Sequence, residues 1–88
     1  MYKVLIADNE QIFVNGLKAV INNLGDYEIV SVVPNVDDLE SVCEKINPDL
    51  VIMRTFFFLK NTGFVAAQEL KEKHPDIKII MMLDMGKF

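Results

Sequence analysis

Residues 50–58 read LVIMRTFFF, and the first four letters decide how the chain is built. Leu50–Met53 is a short, unbroken apolar run, the pattern of a strand buried on both faces. Strands of that kind often deliver a reactive side chain at their C-terminal end. Here the side chain delivered is Arg54, a guanidinium, which has donors but no lone pair to offer a metal or an electrophile.

Working outward, strand-like and helix-like stretches alternate. KVLIA (Lys3–Ala7) is another continuous apolar run and ends at Asp8 and Asn9. QIFVNGLKAVINNLG follows, with Ile12, Phe13, Leu17, Val20, Ile21 and Leu24 at helical spacing and Gly25 placed to end it. Gly16 lies inside this helix at a penalty of about 1 kcal/mol relative to alanine, which close packing against a strand would explain. YEIVSVV (Tyr27–Val33) is a β-branched strand stopped by Pro34 and Asn35. Asn35 is placed to cap the next helix, with Asp37 and Asp38 in its first turn. That helix runs to about Ile46. A third helix spans about Gly63 to Lys73, where His74 is placed as a C-terminal cap before Pro75. IKIIMML (Ile77–Leu83) is the fourth strand.

The order β-α-β-α-β-α-β predicts an α/β fold: a doubly wound, flavodoxin-like parallel sheet with right-handed crossovers and helices on both faces. In such folds the functional crevice lies at the C-terminal strand ends, beside the switch in strand order. That rule selects Asp8, Asn9, Arg54 and Leu83.

Composition narrows the function further. Eighty-eight residues, 51% apolar and 25% charged, suit one globular domain spanning 1–88. A net charge of −4 with nine scattered basic residues argues against a direct nucleic-acid surface. No apolar run approaches a membrane span and no signal peptide is visible. Cys43, the only cysteine, makes an internal disulfide impossible and suits a cytoplasmic setting. It shares a helical stripe with Leu39, Val42 and Ile46, where it reads as a small core hydrophobe, a reactive thiol being the other reading.

YKVLIADNEQIFVNGLKAVI, PDLVIM and HPDIKIIMM together resemble the receiver domains of two-component response regulators, especially the branch with a C-terminal helix-turn-helix domain. The resemblance covers essentially the whole chain. It implies phosphorylation of an aspartate ending strand three by a histidine kinase. Acidic residues ending strand one hold Mg²⁺, and a Thr or Ser ending strand four and a Lys ending strand five contact the phosphoryl group. The transferred group is anionic, so such a site needs a cation, oriented donors and a carboxylate nucleophile.

Mapped onto that pattern, this sequence carries a degenerate pocket. Asp8 keeps the first acidic position, but the second is Asn9. The phosphoacceptor position falls on Arg54 and the hydroxyl position on Leu83. The lysine position lies beyond Phe88. No metal and no cofactor are therefore expected, and no catalytic residue. Arg54 is expected either to fill the metal's space and pair with Asp8, with Asn9 as a further hydrogen-bond partner, or to point to solvent.

The resemblance also implies five strands where this sequence supplies four, a receiver truncated after strand four. Ile77, Ile79, Ile80, Met81, Met82 and Leu83 would then form an apolar edge, which recruits another chain. The expectation is a homodimer through that edge or the helix-one face, or a partner supplying the missing elements. Phe56, Phe57 and Phe58 are either an exposed contact patch or packed on the sheet.

Functionally, the sequence suggests a pseudo-receiver that works by protein–protein contact, with itself, a histidine kinase or an intact response regulator. The alternative is the N-terminal part of a DNA-binding regulator whose effector domain lies outside this chain. An enzyme is not expected, since the strand-one loop DNEQ has no phosphate-binding glycine and no nucleophile is in place.

Overall fold

The computed structural model describes residues 1–54 and 62–82. Four strands form one parallel sheet: β1 (Tyr2–Ala7), β2 (Tyr27–Val33), β3 (Leu50–Arg54) and β4 (Lys78–Met82), in the order β2-β1-β3-β4. Three helices connect them: α1 (Gln11–Leu24), α2 (Leu39–Ile46) and α3 (Thr62–Lys73). This is the doubly wound arrangement that the alternating pattern predicts, with the order reversing between β1 and β3.

Central placement explains why β1 and β3 read as unbroken apolar runs. Val4, Leu5, Ile6 and Ala7 are fully buried, as are Val51 and Met53. On one face, Val4, Ile6 and Ile52 pack against Val14 and Ile21 of α1. On the other, Leu5, Ala7, Val51 and Met53 pack against Leu39 and Cys43 of α2 and Ala67 and Leu70 of α3. Cys43 is thus a core residue. Burial, then the charge of Glu40, pushes its thiol up to about 11, which leaves little thiolate near neutrality.

The connections end where local chemistry stops them. Gly25 caps α1 at φ 84°, and Asn47 ends α2 in the left-handed region at φ 53°, its N–H donating to Cys43 O. The Asn35 side chain accepts from the Asp37 N–H at 3.0 Å, but the turn it caps is a 3-10 turn, Val36–Asp38, ahead of α2. The β1–β2 register shifts between Val4 and Leu5, whose partners are Ile29 and Ser31, so Val30 is an extra residue in the edge strand.

Four expectations change. Ile77, assigned to the exposed edge of the fourth strand, is a core residue at 3% exposure and precedes β4. The stripe assigned to α1 is displaced: Ile12, Phe13, Val20 and Leu24 are exposed, whereas Val14, absent from it, is buried. Gly16 is exposed, and a Cβ there would meet nothing within 4 Å, so close packing does not explain it. At the end of α3, Lys71 closes the turn into β4, its ammonium donating to Pro75 O at 2.9 Å and Ile77 O at 2.8 Å. The imidazole Nε2 of His74 is buried without a hydrogen bond, so His74 contributes its backbone N–H, to Leu70 O, and not a side-chain cap.

Candidate functional site

Parallel register brings Asp8 and Arg54 together. Ala7 pairs with Met53 across β1 and β3, so the next residue on each strand stands beside the other at the C-terminal edge of the sheet. Arg54 Nε donates to Asp8 Oδ1 at 3.0 Å. Both residues are buried, Asp8 to 2% and Arg54 to 9% exposure. Of the two orientations open to Arg54 from sequence, the inward one is adopted.

The first turn after β1 completes the setting. The Glu10 backbone N–H donates to the same Asp8 Oδ1 at 2.9 Å, a side-chain turn of the kind Asp makes with the residue two positions on. Arg54 Nη2 lies 3.6 Å from Glu10 Oε2. The Phe13 ring sits over the guanidinium, with Cζ 5.6 Å from its centroid, within range for a cation–π contact. Arg54 is thus held between a buried carboxylate, a half-exposed one and an aromatic face.

Sequence reasoning misses two of these contacts. Asn9 is the hydrogen-bond partner it assigns to the guanidinium, but Asn9 makes no side-chain hydrogen bond among the described residues, and Glu10 stands there instead. Phe13 reads as core, yet it lies 38% exposed across the mouth of the site. An Asp with a carboxylate two residues on and an aromatic five residues on is a signal only once Arg54 is known to end the neighbouring strand. Leu83, Phe56, Phe57 and Phe58 lie outside the described residues.

Charge and donor count decide what the site can hold. Asp8 Oδ1 takes two donors while Oδ2 is buried with none. A cation would answer that orphan oxygen, but the donor set does not fit a hard divalent ion. Mg²⁺ requires an octahedron of oxygens at about 2.1 Å, and here one carboxylate is already faced by a fixed guanidinium. No group of three or more His, Cys, Asp or Glu that could hold a metal occurs among the described residues. The side chain that ends β3 is a guanidinium, which offers donors and no carboxylate oxygen.

Comparison with known proteins bears on the class. The chain is 30% identical over 82 residues to the transcriptional regulatory protein YdfI of Bacillus subtilis, covering 93% of this chain and 38% of YdfI. It is 26% identical over 80 residues to the transcriptional regulatory protein DegU of Brevibacillus brevis, covering 91% of this chain and 34% of DegU. A third relative is an enzyme, protein-glutamate methylesterase/protein-glutamine glutaminase 1 of Saccharophagus degradans, 32% identical over 84 residues. That match covers 96% of this chain and 22% of the enzyme. No family model matches the chain.

Among solved structures, the isolated receiver domain of RcsB from Salmonella enterica serovar Typhimurium superposes with a TM-score of 0.84 at 18% identity. The superposition covers 93% of this chain and 61% of that one. A LuxR-family two-component response regulator from Aurantimonas gives 0.84 at 16% identity, over 94% of this chain and 59% of that one. The chain is a homologue of response regulators and has the fold of their receiver domain. It spans about a third of the length of the two transcriptional regulators it matches.

Proposed function

We propose that this chain is a pseudo-receiver, a receiver-fold domain that signals by contact and without phosphotransfer. The observation that carries the reading is the buried Arg54–Asp8 pair. In a receiver the phosphoacceptor is a carboxylate held beside a divalent cation, and here the end of β3 presents a cation to the carboxylate of β1. Asp8 is the nearest remaining carboxylate, but its Oδ1 is engaged by Arg54 and Glu10. Such a domain performs no chemistry of its own and, in a cytoplasmic phosphorelay, would act through its partners.

The contact surface in this reading is β4 with its flanks. Among the described residues β4 pairs only with β3. Ile80 is 50% exposed at this edge and Phe64 of α3 is 55% exposed. An exposed apolar edge strand is a template for another chain, and a second copy joined by a twofold axis meets the requirement most simply. A histidine kinase or an intact response regulator is the heterologous partner of this reading. Direct DNA contact forms no part of it.

Incubation of the full chain with acetyl phosphate and Mg²⁺, read by intact mass, tests the loss of phosphotransfer: the expected result is no phosphoryl adduct, and an adduct would refute it. Light scattering tests the surface. A dimer that Ile80→Lys converts to monomer supports it, and a monomer at every concentration removes the self-association.

A second reading has one observation behind it. Both transcriptional regulators that match are about three times longer than the matched region. In that reading the chain is the receiver part of a longer DNA-binding regulator, and Arg54 fixes the state seen by an effector domain. Continuation of the coding sequence into a helix-turn-helix domain tests it.

A further inference from the structure

The face of the sheet covered by α2 and α3 carries a feature that the contact reading does not use. A groove of about 570 Å³ runs between the start of α2 and the first turns of α3. Its floor is apolar: Leu39 and Leu70 are buried beneath it, while Val36 and Ala66 are half-buried and Val65 is 52% exposed. Its rim is acidic, formed by Asp37, Glu40 and Glu69. Among the described residues, Lys73 pairs with one of these carboxylates, Glu40, at 2.8 Å. The bond to Glu40 and the charges of Glu40, Glu44 and Glu69 hold its ammonium above the usual lysine range. Among the described residues, Asp37 and Glu69 form no salt bridge.

We propose that this groove is a docking site for a cationic amphipathic helix of a partner protein, apolar side chains on the floor and Lys or Arg against the rim. Helix-in-groove recognition uses this combination of apolar anchors and charge register, and complementary charge sets both the partner and its rate of approach. A second copy of the chain does not suit the groove, because its nine basic residues are scattered and its net charge is −4. The site lies on the α2–α3 layer and is independent of whether β4 pairs with a second chain.

The test uses the full chain and a fluorescent helical peptide made only of Leu and Lys, with a Leu/Glu counterpart, followed by anisotropy. Saturable binding of the Leu/Lys peptide alone is expected, weakening at high salt as exposed charges are screened. Val65→Arg, at a half-exposed position the fold tolerates, should abolish it. Glu69→Lys should weaken it by about tenfold, the equivalent of 1.4 kcal/mol. Glu28→Lys, the same charge change at an exposed position of β2, should leave affinity within about twofold, well inside that tenfold step. Absence of binding, equal binding of the Leu/Glu peptide, or equal weakening by Glu28→Lys and Glu69→Lys would each overturn the proposal. The last outcome would mean diffuse attraction to an acidic protein.

Discussion

Arg54 Nε and Asp8 Oδ1 lie 3.0 Å apart at the C-terminal ends of the two central strands, with the side chains 11% and 0% exposed. A pair so enclosed has surrendered most of its hydration, and the attraction between the two charges offsets that cost. The contact uses one oxygen of the carboxylate, shared with the Glu10 N–H, so it is a single charge-assisted bond and not the two-pronged fork that Arg and Asp often form.

Removing the cation alone should therefore be severe. Arg54→Ala leaves a buried carboxylate with one backbone donor, and a loss of about 3–5 kcal/mol is expected in urea unfolding. Replacing both partners, Asp8→Leu with Arg54→Met, should recover most of it, because apolar groups of similar volume need no hydration. A loss below about 1 kcal/mol for the single variant would place the pair with ordinary surface ion pairs.

Arg54→Asp puts a carboxylate at the end of β3 and sets it against Asp8. Without metal this variant should be at least as unstable as Arg54→Ala, since two like charges share one enclosed site. Mg²⁺ should raise its midpoint in thermal unfolding while leaving the parent unchanged, as expected of an ion that binds only the folded form. An equal response of both proteins would contradict the role given to Arg54.

Gly16 offers a stabilising substitution. It is an exposed residue inside α1, and a methyl group there would meet nothing within 4 Å, so Gly16→Ala should stabilise by about 1 kcal/mol through helix propensity alone. Destabilisation would mean that the glycine serves a contact made only in an assembly.

Cys43 predicts an alkaline limb. Its folded value, about 11, exceeds the ordinary 9.0 because burial and then Glu40 oppose the thiolate. The folded form therefore holds its proton where the unfolded chain loses it. The associated stability is complete below about pH 9 and falls as pH rises toward 11. Cys43→Ala should flatten this part of the profile, and iodoacetamide should label Cys43 rapidly only in denaturant. Rapid labelling of the folded protein would reverse the assignment.

What the sequence makes legible follows from how many neighbours decide each feature. β1 and β3 declare themselves because central parallel strands are apolar on both faces, and the Arg54 position follows directly from the end of β3. The buried face of α1 is harder. Apolar residues at 12, 13, 14, 17, 20, 21 and 24 cover more of the helix than one sheet face can bury, so periodicity does not say that Val14 turns inward and Ile12 outward. The pocket is harder still. Asp8 turns inward just past the end of β1, while Asn9 lies in the bend that follows. Phe13 and Glu10 reach the guanidinium only because the β1–β3 register sets Asp8 and Arg54 abreast.

In the proposed pseudo-receiver, a guanidinium stands where a receiver keeps its acceptor carboxylate and its cation. The decisive experiment is titration of the isotope-labelled chain with Mg²⁺, following the backbone amides of Asp8, Asn9 and Arg54. No saturable shift of these resonances is predicted at millimolar Mg²⁺. Saturable, coincident shifts of all three would show a divalent ion seated in the pocket and would contradict it.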